Sequence, residues 1–307
     1  MTDPREAARR RSAAVQALED LLNQQVDAAQ RAIWEKLLVR LKDLHAAPAA
    51  QLTTLLAPLL QEITNTVLLP LASFYGQSLL YLPAHQLDYF AALDVAGYQK
   101  LRAPLAAFLT ARLGVDAQGL PVAGGYLATI AGDTTVARQV LTYAYQAQAS
   151  GVGLNAYRDG LNALVLGSGP GAPNGLGVVQ ALYKNSGEDF AQADRMLHSL
   201  AAKELGLAVF LYQGGLIDSS RPFCVARNGR VFLDVEIARF GTKTDKYGGY
   251  ARKEEGYFSG KPDPYTPAVD LGGYRCRHFL HALPAVVALS MRDDLAEDAQ
   301  GQLFVKS

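Results

Sequence analysis

Residues 5–44 read REAARRRSAAVQALEDLLNQQVDAAQRAIWEKLLVRLKDL, a stretch with neither glycine nor proline. Val15, Leu18, Leu22, Val26, Ala29, Ile33, Leu37, Leu41 and Leu44 recur at steps of three and four, which is the signature of one amphipathic helix. Asp3-Pro4 in front supplies an N-cap acceptor and a first-turn proline, and His45-Ala-Ala-Pro48 ends the pattern. A continuous helix over residues 5–45 would span about 60 Å. That exceeds what a compact domain needs, so its apolar stripe must be covered by its own chain or by a partner.

Further helices follow at Gln51–Leu69, where Pro58 and Pro70 mark kinks or boundaries, and at Leu87–Leu93 and Tyr98–Leu113. A long helix folding back on others makes a hairpin or bundle. Residues 114–125 are rich in turn formers and read as a boundary, and helices resume at Thr134–Ser150, Asn155–Leu166 and Glu188–Leu205. After Gly214-Gly215 the pattern changes to short runs broken by turns, giving a loop-rich α+β module from about Leu216 to Leu283. The predicted fold is mainly α, with long N-terminal helices in a hairpin or bundle and a small α+β module near the C-terminus. Its divisions are 1–115, a helical bundle region; 116–213, a helical middle region; and 214–307, the module with a C-terminal tail.

Half of the 307 residues are hydrophobic and 19% are charged, enough apolar material to bury a core and too little charge for a mostly disordered chain. Lys plus Arg and Asp plus Glu are both 29, so the basic excess of a free-standing nucleic-acid binder is missing. Residues 1–115 hold 11 basic and 10 acidic groups, so neither half hides such an excess. Zero net charge is poor for colloidal solubility and suits a protein working inside an assembly. Two cysteines exclude a disulfide framework. The most apolar stretch, Val67–Leu82, is interrupted by Pro70, Ser73, Gly76, Gln77 and Ser78, so no membrane span is predicted, and MTDPREAARRRS has no apolar region to make a signal peptide or anchor. The expected location is a cytoplasm or a particle assembled in one.

Gly167-Ser-Gly-Pro-Gly-Ala172 follows an apolar run as a dinucleotide fingerprint does, but Pro170 and Pro173 remove backbone donors where the phosphate-binding helix would open, so a connection between helices is the better reading. His45, His85 and His198 stand alone and read as helix-surface or capping residues. No metalloprotease, deaminase, nucleophile-elbow or phosphate-loop motif is present, so no enzyme is predicted. Arg9-Arg10-Arg11 could touch DNA phosphates or an acidic partner, or be a solvated helix end beside Glu6.

The chemistry concentrates near the C-terminus, in Asp218-Ser-Ser-Arg221-Pro-Phe-Cys224, Asn228-Gly229 and Gly272-Gly-Tyr274-Arg-Cys276-Arg-His278. On a strand, Cys276, His278 and Leu280 share one face and Phe279 and His281 the other, so Cys276 and His278 could meet Cys224. Asp218 suits an Asx-type turn ordering Arg221 and Cys224. Cys224, Cys276 and His278 could hold a structural zinc ion, with a fourth ligand from Asp218, His281 or water. Because paired Cys-x2-Cys knuckles are absent, spacing alone favours a thiol pair buried beside aromatic rings, without metal or other cofactor.

These segments resemble the C-terminal core of tailed-phage minor head proteins, the Mu F-like head morphogenesis family. That family typically carries an Asp-x-Arg-x-x-x-His-like segment, a Gly-containing turn and a terminal Asn-Cys-Arg-Cys. Asp218, Arg221 and Cys224 occupy the first segment, Asn228-Gly229 the turn, and Tyr274 to His278 the last. Cys224 stands where histidine is usual, and His278 where the second cysteine is usual. The resemblance is closer still to phage structural proteins carrying Arg-x-Phe-Cys and Gly-Gly-Tyr-x-Cys-x-His, and it covers about residues 185–283. It implies a virion structural protein, assembled in the host cytoplasm. The role implied is a minor head protein partnered with portal or capsid proteins, acting in head morphogenesis and DNA ejection. The alternatives are a head–tail connector or tail-associated protein and, disfavoured, an enzyme, since only 24 residues follow Leu283 and a fused toxin domain needs more.

Overall fold

The fold was taken from a computed structural model, which describes residues 2–116, 118, 120–132, 134–167, 175–242, 244–247, 265–273 and 275–306. Tyr274, the glycine-rich reading of 168–174 and most of the segments at 247–250 and 261–267 lie outside the described residues. The elements run α1 (Pro4–Val39), α2 (Leu41–Ala46), α3 (Ala49–Ile63), α4 (Leu69–Leu79), α5 (Leu82–Ala92), α6 (Arg102–Leu113), α7 (Tyr126–Ala131), α8 (Thr135–Ala149), α9 (Leu154–Leu166), α10 (Val178–Tyr183) and α11 (Ser186–Glu204). Then come β1 (Val209–Gly214), α12 (Pro222–Arg227), β2 (Arg230–Leu233), α13 (Asp234–Ile237), α14 (Pro267–Asp270), β3 (His278–Ala282), α15 (Ala285–Met291), β4 (Leu295–Glu297) and β5 (Leu303–Val305). The chain is mainly α, with long N-terminal helices and a small α+β region near the C-terminus.

The predicted helix over 5–45 is continuous for 36 residues, Pro4–Val39. It breaks at Arg40, whose backbone leaves the helical basin (φ −99°, ψ 4°), and α2 resumes the same apolar stripe with Leu41 and Leu44 buried. In α3, Pro58 causes no boundary. It and Thr54, whose carbonyl it leaves unpaired along the helix, are both exposed, so water can take the lost bond. Between α3 and α4 the chain widens into a π-helical turn, Thr64–Leu68. The Thr64 and Thr66 hydroxyls donate back to the Leu60 and Glu62 carbonyls at 2.9 and 2.8 Å, and this turn absorbs Pro70, which lacks an amide donor. The result corrects the sequence reading of apolar length: the helical run Ala49–Ala92 is long and apolar enough to cross a membrane by length and composition. Leu52, Leu56, Ile63, Tyr75 and Leu79 of that run are buried within the fold.

The chain divides into two compact units. One comprises Met1–Leu18, Tyr81–Leu109 and Gly187–Ser307; the other, Glu19–Leu80 and Thr110–Ser186. The first gathers pieces from all three of the ranges 1–115, 116–213 and 214–307, the second from the first two, because α1, α6 and α11 each run through a unit boundary. The second unit is all helical, with α3 packed on α8, α4 on α7, and α8 and α9 on α10. Its core includes Leu22, Ile33, Leu37, Leu56, Val140, Tyr157 and Leu161, and His45 Nε2 donates to the Val152 carbonyl at 3.0 Å.

The first unit holds a three-stranded antiparallel sheet of order β2-β1-β3. Phe210 opposes Phe232 on one side and Ala282 on the other; Tyr212 opposes Arg230 and Leu280. The central strand is thus β1, upstream of the predicted module boundary at Gly214. The sequence pattern changes only at the glycines because Val209–Gly214 is a short apolar run directly behind a helix, and such a run shows no strand period of its own.

Candidate functional site

Tyr212 of β1 stands at the centre of the cluster predicted from the sequence. Its core neighbours are Phe223 and Cys224 of α12, Phe232, Ile237, Phe240, Leu271, Cys276 and Leu280. The Asn228-Gly229 turn between α12 and β2 is fastened to β1: Gly229 N–H donates to the Tyr212 carbonyl at 2.8 Å, and the Gly214 N–H donates to Asn228 Oδ1 at 3.0 Å. Gly229 takes φ +77°, which glycine adopts without strain. This turn sets α12 against the sheet and carries Cys224 to Tyr212.

Cys276 arrives from the other end of the chain on a tight loop. Leu271 and Arg275 have φ of +46° and +57°, values costing about 1–3 kcal/mol each for residues with a side chain. A Cβ on Gly272 would collide with Cys224 Sγ and come within 3.1 Å of Cys276 Sγ, so only glycine lets the loop pass that close. Arg195 of α11, its side chain 1% exposed, holds the loop. It donates to the carbonyls of Val269 at 2.9 Å and His278 at 3.2 Å and to that of Cys276. Glu188, one helical repeat of seven earlier, pairs with Arg195 at 3.5 Å and accepts from the Arg275 N–H at 2.6 Å.

The outcome is a close triad. Cys224 and Cys276 Sγ lie 3.7 Å apart, Cys276 Sγ lies 3.9 Å from His278 Nδ1, and all three ligating atoms fall within 4.8 Å of one another. All three residues are buried. The Tyr212 hydroxyl donates to Cys224 Sγ at 3.4 Å and stands 4.0 Å from Cys276 Sγ, and its ring stacks on His278 at 5.2 Å. The hydrogen bond between the thiols splits them: Cys224 is held protonated, its thiol pushed up by that bond and by burial. Cys276 is pulled well below the ordinary thiol value by the bond from Cys224, with His278 and Arg195 adding to it against the burial penalty. The group can therefore act as a single-proton thiol pair or as a set of three ligands for a soft cation.

Of the remaining predicted residues, Arg221 forms the N-cap of α12, its carbonyl accepting from Cys224 N–H at 2.8 Å, and its side chain lines a cleft of about 780 Å³. Cys224, Cys276 and His278 line the same cleft, with Ser12 and Gln16 of α1. Asp218 is exposed and outside the group. The turn before α12 is closed by Ser220, whose hydroxyl accepts from Ile217 N–H at 2.8 Å, so the ordering role assigned to Asp218 belongs to its neighbour. His281 is also outside the group: it lies one residue out of phase with His278 and Leu280, and its Nδ1 is 3.2 Å from Arg11.

Arg11 corrects the reading of the arginine run. Arg9 and Arg10 are exposed and pair with Glu6, but Arg11 is 3% exposed and forms an ion pair with Asp194. It also donates to the Leu280 carbonyl at 3.0 Å and is closed off from any phosphate. Asp194 accepts in addition from Gln86, whose Oε1 accepts from His198 Nδ1 at 2.7 Å, while His198 Nε2 accepts from the Ala282 N–H at 2.7 Å. His198 is therefore a buried strand-holding residue, contrary to its reading as a helix-surface one. Arg195, Asp194, Gln86 and Arg227 belong to no motif that marks them in the sequence. The last is fully buried, 3.7 Å over the Phe223 ring and paired with Asp245. The one available signal was charge on the apolar face of α11, where Glu188, Asp194, Arg195 and His198 interrupt the stripe.

Comparison of the chain with protein-family models, with curated proteins and with solved structures finds no match.

Proposed function

We propose that the chain is a virion structural protein of a tailed phage: a minor head protein, α-helical in character, bound to the portal or inner capsid and acting in head assembly and DNA ejection without catalytic turnover. One observation carries the reading. The two segments that resemble the Mu F-like family lie about fifty residues apart in sequence, and Phe223 and Cys224 of the first meet Cys276 and His278 of the second around Tyr212. Their meeting in one module is what the resemblance implies. The zero net charge and the exposed Arg9 and Arg10 agree with work inside an assembly near packaged DNA.

Quantitative mass spectrometry of purified particles encoding the chain tests this. The chain is expected in every particle at a copy number far below that of the major capsid protein, and retained after the tail is removed. Its absence from particles, or its loss with the tail, would overturn the proposal.

A further inference from the structure

We propose that Cys224, Cys276 and His278 form a binding site for one zinc-class ion, with the fourth position taken by water from the cleft. This inference is independent of the virion reading. Two thiolates each about 2.3 Å from a tetrahedral ion stand about 3.8 Å apart. The sulfurs of Cys224 and Cys276 are already 3.7 Å apart, with His278 Nδ1 3.9 Å from one of them. A disulfide would require the sulfurs to close to about 2.05 Å. The spacing, which a thiol–thiol hydrogen bond holds in the metal-free chain, therefore fits a shared ion without movement of the sulfurs.

Four further features match a built site. The ligands are held from outside, because Arg195 fixes the backbone carbonyls of both Cys276 and His278, so the loop does not have to order when an ion enters. Tyr212 supplies a hydroxyl to the Cys224 sulfur, the kind of outer-shell donor that orients and tunes a thiolate ligand. His278 is buried, its Nε2 has no hydrogen-bond partner among the described residues, and the cysteine sulfur is the polar neighbour of its Nδ1. A ring kept in that position gains little from hydrogen bonding and much from ligation. The cleft gives an ion its route in and leaves room for a water on the side that carries no protein ligand.

The full chain, purified under reducing conditions from cells supplied with zinc, should contain close to one zinc by elemental analysis. Cobalt(II) added to the metal-stripped chain should give tetrahedral d–d bands together with thiolate-to-cobalt charge-transfer absorption. Cys276→Ser and His278→Ala should each lose the stoichiometric metal. Because such variants could unfold, the wild-type cobalt spectrum stands as the independent readout. A metal-free wild-type chain with no cobalt charge-transfer band overturns the proposal. So does a Cys224–Cys276 disulfide in the freshly purified protein, or zinc that persists in the Cys224→Ser/Cys276→Ser double variant.

Discussion

Arg195 joins three backbone carbonyls that no regular element could satisfy together, and two of them belong to members of the triad. Removing it takes a donor from each of those buried carbonyls and the cation from Glu188, which keeps only the Arg275 N–H and the Gln192 amide among the described residues. Arg195→Met should cost about 3–5 kcal/mol. Arg195→Lys should recover little of this, because one ammonium cannot reproduce the planar fork. Urea denaturation of the two variants checks both statements. His198 and His281 give a second prediction. Burial first, then Arg11, holds both imidazoles well below the ordinary value of 6.5, and in His198 the mutual presence of His281 adds to it. The native chain keeps them neutral while the unfolded chain takes up protons as pH falls through 6.5. Stability should therefore be undiminished above about pH 7.5 and decline between pH 6.5 and 5, by up to about 1.4 kcal/mol per pH unit for each histidine. A urea midpoint that does not move across that window would contradict the assignment. At this scale the cysteines and His278 could be read from the sequence, because rare residues in a resembling segment draw the eye. Arg195 could not, because its partners are main-chain carbonyls of a loop far along the chain.

The helices were the most readable elements. The three- and four-residue step of α1 is a local property, and Leu22, Ile33 and Leu37 on that stripe are fully buried. Ile33→Ala should therefore destabilise by about 2–5 kcal/mol, whereas Arg10→Ala, which removes an exposed i,i+4 pair, should change stability by no more than about 0.5 kcal/mol. Thermal denaturation of the two variants compares them directly. Pro70 stands at a boundary, in the first turn of α4, but Pro58 makes none, because whether a proline ends a helix depends on whether the freed carbonyl finds water or a wider turn, and that depends on burial. The strand β1 was missed because six residues between a helix and a glycine pair carry no period. Its role is fixed by β2 and β3, which come later in the chain.

Across the whole molecule, the first unit is assembled from three separate stretches, and the C-terminal module depends on all of them. Cys224, Cys276 and His278 lie after residue 213, but β1, Arg195, Asp194, Gln86 and Arg11 precede it. A fragment of residues 214–307 would lack the central strand and the buried Arg11, Tyr89, Arg195 and His198 side chains that bond to the backbone of β3. It should show no cooperative unfolding transition, which circular dichroism during a urea titration would register. Sequence patterns are local and topology is not, which is why a boundary at residue 213 looked natural. The proposed role makes its strongest demand at this scale, since it requires a fixed place in a particle. An electron-microscopy map of intact particles, reconstructed without imposed symmetry, tests it most directly. The account predicts this chain's density in low copy against the portal or the inner capsid wall. A ring of the chain at the neck, or no density for it in the head, would contradict that.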